Sequence, residues 1–203
     1  MKASILAAPS VRAPLQRLRL VLGVFKLRIG VMIMATGLVG LAVTPGPGLS
    51  LAQTVLLALS LLVASGSAGA FNQYFEHGTD KLMARTRRRA FVTGELPRSP
   101  AWLWLFAALL ALAVGAAWVA LNAASALFVF LGAFTYGVVY TVWLKRRSCT
   151  NIVVGGLAGS FAVLAGAAAV DPGLGPLPLL LAAVLFLWTP PHFWRLAIAG
   201  DAA

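Results

Sequence analysis

The chain has 203 residues, of which 61% are hydrophobic and 10% are charged. A soluble domain is typically about 45–50% apolar and about 25% charged, so this composition excludes a soluble globule and a disordered tail. The net charge of +11 would indicate a nucleic-acid partner in a soluble protein. Here the basic residues flank apolar runs, so we expect a membrane protein with no nucleic-acid partner. The single cysteine, Cys149, excludes a disulfide within this sequence.

Six long apolar runs follow one another along the sequence. Each is long enough to cross a hydrocarbon core of roughly 30 Å as a helix rising about 1.5 Å per residue. Backbone amides in lipid need partners within their own segment, and continuous apolarity is not typical of barrel strands. We therefore predict an all-α, polytopic transmembrane bundle. Its spans cover residues 27–43, 49–75, 102–120, 124–144, 152–170 and 177–198.

All sixteen Lys and Arg residues fall on one side of these spans. The connections 44–48, 121–123 and 171–176 contain none of them. The positive-inside rule then places both termini in the cytoplasm. We expect a single transmembrane domain over 1–203, with a basic cytoplasmic segment at 1–20.

A row of polar side chains lies at the end of the second span. Asn72, Glu76 and Asp80 are spaced by four residues, which places them on one helix face about 6 Å apart along the axis. Such oxygen ligands suit Mg²⁺, which bridges one or two carboxylates to phosphate. The alternative is a solvated helix end with capping acids.

Basic residues surround this row on the same membrane face. Arg85 and the run 87–89 follow it, and 145–147 follow the fourth span. Metal-binding acids ringed by Arg and Lys are typical of a diphosphate site. Topology alone also explains basic residues here, and we assign Arg87 and Arg88 to topology only.

A histidine lies near the cytoplasmic end of the sixth span, in Trp188-Thr-Pro-Pro-His192-Phe-Trp194. Pro190 and Pro191 are expected to break or kink that helix and free backbone carbonyls. A polar ring near a helix break is a candidate for a binding site. The alternative is an interfacial histidine within an aromatic belt.

Three stretches together resemble a known family. The first runs from Asn72 through Glu76 to Asp80 and continues to Met83, Arg85-Thr86 and Arg89. The second is 140–147 with Asn151-Ile152 and Gly155-Gly156, and the third is 188–194. In this order they resemble the heme O synthase branch of the UbiA family of intramembrane prenyltransferases, over about 26–198.

The resemblance implies a bundle of nine spans and a reaction. Farnesyl diphosphate, bound with Mg²⁺, is joined to a vinyl group of heme B, and water completes the hydroxyethylfarnesyl group of heme O. Heme A synthase and terminal-oxidase assembly are the implied partners besides the lipid bilayer. The implied location is a bacterial inner membrane, with a mitochondrial inner membrane as the alternative.

The resemblance also implies roles for individual residues. Asn72, Glu76 and Asp80 are expected to hold the metal, with Glu76, Asp80 and Tyr140 as catalytic residues. His192 and Trp188 are expected on the heme side, His192 as an axial ligand or a propionate partner. The expected diphosphate-binding residues are Arg85, Arg89, Lys145 and Arg146.

The sequence differs from the family pattern at two points. Position 76 is Glu where many members have Asp, and the second acidic motif and three more helices do not follow the sixth span. We therefore expect 1–203 to be the N-terminal two-thirds of the family fold, as a fragment or a truncated copy. Two other functions stay open: a prenyltransferase with a quinone-type aromatic acceptor, which gives no reason for 188–194, and a truncated non-catalytic membrane protein.

Overall fold

The computed structural model describes residues 14–148 and 150–201, without the side chains of Pro14 and of 196–201. Cys149 and residues 1–13 of the predicted basic segment lie outside the described residues. All regular structure in the described part is helical. It comprises α1 (Pro14–Val24), α2 (Leu27–Ala42), α3 (Leu51–Asp80), α4 (Ala90–Thr93), α5 (Pro100–Ala120), α6 (Ala123–Phe134), the π-helical segment Thr135–Leu144 that continues α6, α7 (Asn151–Val170) and α8 (Pro176–Asp201).

Each predicted span coincides with one of these helical stretches. Five of them are long and apolar enough to cross a membrane, and Leu27–Ala42 is a shorter apolar helix. The prediction of an all-α membrane bundle is therefore confirmed. The helix α3 continues beyond the predicted apolar run to Asp80, so the whole polar row lies on one helix.

The two ends of the bundle differ in charge. At one end uncharged side chains satisfy the helix termini: Ser50 and Gln53 form a capping box at the start of α3, and Asn122 caps α6. Asn122 also donates to the carbonyl of Ala168 on α7, at 2.7 Å. In the described part, the basic residues of 81–89 and of 145–147 follow the other ends of α3 and of the π-helical segment, as the charge pattern predicts.

The helix α7 packs against α2, α6 and α8. Small residues let α2 and α7 approach closely, since Gly166 lies against the carbonyl of Gly37 and Gly40 lies against the carbonyl of Val163. A Cβ atom on Gly166 or Gly40 would overlap those carbonyls. Such contacts are how helices associate in lipid, where the hydrophobic effect does not drive them together.

The sixth span does not break at its prolines, which was one of the two expectations, and a kink there stays a prediction. The helix α8 continues from Pro176 to Asp201 with Pro190 and Pro191 inside it. Pro190 and Pro191 cannot donate to the carbonyls four residues earlier, those of Phe186 and Leu187. Membrane helices tolerate proline because local side chains and neighbouring helices compensate for the lost backbone hydrogen bonds.

The close packing of α2 and α7 predicts that two glycine substitutions on α7 change the stability of the bundle differently. Gly166→Ala should destabilise the bundle by about 1–3 kcal/mol, because the added methyl group has no space. Gly159→Ala should leave the stability unchanged or raise it, because nothing lies within 4 Å of its Cβ position. Thermal unfolding in detergent measures both, and equal midpoints would contradict the packing described here.

Candidate active site

A cavity of about 860 Å³ opens between α2, α3, α6 with its π-helical continuation, α7 and α8. Its volume lies within the range of about 300–1,000 Å³ typical of small-molecule sites. Charged side chains line the end near the C-terminus of α3, and apolar side chains line the rest. The apolar lining includes Ile33, Leu61, Phe128, Val129 and Ala162. The cavity is therefore shaped for a ligand with one charged end and one apolar end.

The predicted polar row forms one wall of this cavity. Asn72, Glu76 and Asp80 all line it, and their exposed fractions are only 2%, 4% and 4%. A helix that ended in solvent would leave such acids exposed, so the alternative of a solvated helix end is wrong. Buried carboxylates are stable only when they are paired.

Each member of the row is bonded to a cation from a different segment of the chain. The Arg89 guanidinium lies 2.6 Å from Asp80 Oδ2. The Lys145 ammonium lies 2.6 Å from Glu76 Oε1 and 2.7 Å from Oε2. The Lys26 ammonium donates to Asn72 Oδ1 at 2.6 Å. The two acids predicted to bind metal are thus bonded to Arg89 and Lys145, two of the four residues predicted to bind diphosphate.

The segment after α3 positions Arg89. The Thr86 hydroxyl donates to the Asp80 carbonyl at 3.0 Å, and Thr86 is 2% exposed. The Arg89 amide in turn donates to the Thr86 carbonyl at 3.0 Å. This turn returns the chain to the end of α3, which explains why Arg89 meets Asp80 nine residues earlier.

Lys26 is a site residue that the sequence reasoning attributes only to topology. It joins α1 to α2 in the left-handed region, with φ of 50°. Gln73 donates to the carbonyls of Gly23 and Val24 at the end of α1, at 3.2 and 3.0 Å. Burial, followed by the charge of Arg89, lowers the pKa of Lys26 from 10.5 to about 8.

Two glycines of α3 pack against that junction. Gly66 lies against Phe25, and Gly69 lies against both Phe25 and Lys26. On α7, Gly155 and Gly156 lie against side chains of neighbouring helices. The contacts of Lys26 join residues 46 positions apart, so no local signal in the sequence indicates it as a site residue.

The π-helical segment supplies a second wall. Tyr136, Tyr140 and Lys145 line the cavity, and the two tyrosine rings stack with centroids 5.7 Å apart. The Tyr136 hydroxyl accepts from Lys26 at 3.2 Å, and Thr141 accepts from the Asn72 amide at 3.1 Å. Tyr140 thus lines the same cavity as the polar row, and its catalytic role stays a prediction.

The remaining predicted cations lie at the mouth of the cavity. Arg85 and Arg146 line it with exposed side chains, and Arg146 donates to the Thr79 hydroxyl at 3.3 Å. Arg87 and Arg88 are exposed and are not part of the lining. The structure thus separates the basic residues near the row into two groups, as the sequence interpretation does.

The predicted heme-side residues lie beside the cavity and not in its lining. Trp188 and His192 are exposed on α8, with ring centroids 6.2 Å apart and nearly parallel planes. Thr189 and Phe193, on the adjacent face of α8, do line the cavity. His192 and Trp188 would therefore meet a ligand at the outer surface of α8.

The oxygen atoms of the row have the chemistry that a hard divalent cation requires. Mg²⁺ commonly uses one or two protein carboxylates and completes its shell with water and substrate phosphate. Within the described residues no group of three or more His, Cys, Asp or Glu side chains could hold a metal. The row therefore fits a metal shared with a phosphate ligand.

Comparison with known families identifies the fold. Residues 33–203 match the model of the UbiA prenyltransferase family. The chain belongs to the UbiA family. The cavity, with its charged end and its apolar end, is the candidate binding site of this UbiA-family chain. No solved structure gave a significant match.

Proteins from bacteria are among the curated relatives of the chain. The chain is 54% identical to protoheme IX farnesyltransferase 2 of Paramagnetospirillum magneticum, over 90% of this chain and 63% of that protein. It is 47% identical to protoheme IX farnesyltransferase 1 of the same organism, over 85% and 60%. It is 41% identical to protoheme IX farnesyltransferase of Gluconacetobacter diazotrophicus, over 85% and 54%. The chain therefore spans roughly three-fifths of the length of these relatives.

The Glu76–Lys145 ion pair predicts a coupling energy in a double-mutant cycle. Glu76→Gln and Lys145→Met together should cost less than the sum of the single changes, by about 1–2 kcal/mol. The value is smaller than for a fully buried pair because the Lys145 side chain is 35% exposed. Unfolding by SDS in mixed micelles measures the cycle.

Arg147 provides the matched control, since it carries the same charge two residues along the chain. Glu76→Gln and Arg147→Met should be additive within about 0.5 kcal/mol. A Lys145 coupling no larger than the Arg147 value would show that the ion pair contributes nothing to stability.

Proposed function

We propose that this chain carries the diphosphate and prenyl half of a heme O synthase site, which transfers a farnesyl group from farnesyl diphosphate to a vinyl group of heme B. The observation that supports it is the cavity, whose charged and apolar ends match the two parts of an allylic diphosphate. The similarity to proteins named protoheme IX farnesyltransferase supports the choice of substrates.

Binding begins with the diphosphate at the charged end. Arg85 and Arg146 lie at the mouth, where they can contact phosphate oxygens as the ligand enters. Arg89 and Lys145 are bonded to carboxylates until a competing anion arrives. Guanidinium groups bind phosphate oxygens through paired, charge-assisted hydrogen bonds.

Asn72, Glu76 and Asp80 would hold Mg²⁺ together with the diphosphate. When bound, the metal supplies positive charge that stabilises the leaving group. Its binding at Glu76 and Asp80 would also leave Lys145 and Arg89 available for phosphate oxygens. The two sets of side chains can thus exchange partners without leaving a buried charge unpaired.

The reaction breaks the allylic C–O bond, and the electron pair leaves on the diphosphate oxygen. The allylic cation is attacked by the vinyl group of heme B, and water then adds to the resulting cation and loses a proton, giving heme O. The apolar wall, which includes Leu61 and Phe128, excludes water from the first cation. Tyr140 also lines the cavity, and its ring, which lies 5.6 Å from the Lys145 ammonium, would stabilise a cation at the charged end through its π electrons.

Heme B would approach from the side of α8 that carries His192 and Trp188. Both side chains are exposed there, next to Thr189 and Phe193 of the cavity wall. The exposed, stacked rings suit a flat macrocycle that arrives through the lipid. The proposed setting is a bacterial inner membrane, with heme A synthase or terminal-oxidase assembly as the consumer of the product.

The first test is formation of heme O in membranes that contain the chain. Heme B, farnesyl diphosphate and Mg²⁺ should yield heme O, measured by chromatography of extracted hemes. Asp80→Asn should lower the yield about 100-fold or more, because it removes a metal ligand and the partner of Arg89. Asp171→Asn is the matched control at the opposite end of the bundle, where the change should have no effect.

The outcomes separate the open functions. If heme O forms only when the C-terminal part found in the relatives is also present, that part supplies the other half of the site. Prenylation of a quinone-type aromatic acid in place of heme B would support the other acceptor class. No Mg²⁺-dependent release of diphosphate in either form would leave the non-catalytic alternative.

The exposed position of His192 predicts a test of the heme side. His192→Ala should weaken heme B binding about 10-fold or more, and the Soret band should shift only if the imidazole ligates the iron. His77, which contacts Arg98 at 3.0 Å, is the matched control. Equal heme affinities of His192→Ala and His77→Ala would remove His192 from the site.

A further inference from the structure

Lys26 differs from the other two cations that contact the polar row. Arg89 and Lys145 each contact a carboxylate. The Lys26 ammonium contacts two neutral oxygens, those of the Asn72 amide and the Tyr136 hydroxyl. Because neutral partners do not cancel its charge, a buried ammonium in this position favours the arrival of an anion.

Lys26 also marks the depth at which the cavity changes from charged to apolar. On α2 the cavity lining passes from Lys26 to Ile29 and Ile33. On α3 it passes from Asp80 and Asn72 to the apolar part of the wall at Leu61. The Lys26–Asn72 hydrogen bond joins the two helices at this boundary.

The bond that breaks in an allylic diphosphate lies at the same kind of boundary, between the phosphate groups and the prenyl chain. We propose that Lys26 contacts the phosphate nearest the prenyl chain and donates a hydrogen bond to the oxygen that leaves. The C–O electron pair moves onto that oxygen, and the ammonium stabilises the developing charge without giving up its proton. This role rests on the proposed function, since it requires a prenyl diphosphate in the cavity.

The junction between α1 and α2 holds Lys26 in this position. The break between α1 and α2 lets Lys26 adopt a positive φ, and Gln73 satisfies two carbonyls at the end of α1. The aliphatic part of Lys26 packs against Gly69 of α3. A left-handed lysine is costly, and such conformations persist where the surrounding structure holds them.

Three ligands of increasing charge test the role of Lys26: farnesol, farnesyl monophosphate and farnesyl diphosphate. Binding of the labelled compounds to the detergent-solubilised chain is measured with Mg²⁺ present. Lys26→Gln retains a donor for Asn72 and Tyr136 but loses the charge. It should weaken both phosphate compounds about 10-fold or more and leave farnesol unchanged.

Three further variants complete the design. Lys26→Arg should restore most of the affinity, and Arg28→Gln, an exposed residue outside the cavity lining, should leave all three affinities within about twofold. Arg85→Gln, at the mouth, should weaken the diphosphate and not the monophosphate. This contrast measures the order of the two phosphates along the cavity.

The proposal is overturned if Lys26→Gln binds farnesyl monophosphate as tightly as Arg28→Gln does. It is also overturned if Lys26→Gln weakens farnesol equally, since that indicates a purely structural role. A parent chain that binds farnesyl diphosphate through Lys26 but never forms heme O would overturn only the proposed function. A parent chain that binds neither phosphate compound would overturn both.

Discussion

The structure depends on the pairing of two buried carboxylates near the C-terminus of α3. Glu76 and Asp80 are almost completely buried, and an unpaired charge in such a place is strongly unfavourable. Glu76 is paired with Lys145, 69 positions along the chain, and Asp80 with Arg89, nine positions along. The end of α3 therefore determines where the π-helical segment ends and how the following turn is folded.

Packing at the opposite end of the bundle leaves room for this charged site. Gly37 and Gly40 bring the second half of α2 against α7. The first half of α2, with Ile29 and Ile33, lines the cavity instead. The helices α2 and α7 are thus in close contact near the uncharged end and enclose the cavity nearer the charged end. A bundle held by small residues at one end can keep a ligand-sized space at the other without losing its helix contacts.

Hydropathy and spacing were sufficient to predict the spans and the shared face of Asn72, Glu76 and Asp80. They could not predict the pairing, because a contact such as Lys26–Asn72 depends on where the junction between α1 and α2 lies against α3. A break at Pro190 was one expectation, but α8 continues through this residue and packs against α7, and membrane helices tolerate proline where neighbouring groups satisfy the freed backbone. Each missed feature depends on a neighbour that is distant in the sequence.

The π-helical segment shows why even a correct span prediction was incomplete. Lys145 follows Tyr136 by nine positions. On an α-helix nine positions make about two and a half turns, which would place the two side chains on opposite faces. The wider turns of the π-helix bring both residues to the cavity. The Lys145 amide donates to the Tyr140 carbonyl at 2.9 Å, five residues earlier, as this geometry requires. The pairing of Glu76 therefore depends on a backbone form that hydrophobic periodicity does not reveal, and π-helical turns of this kind often occur at functional sites.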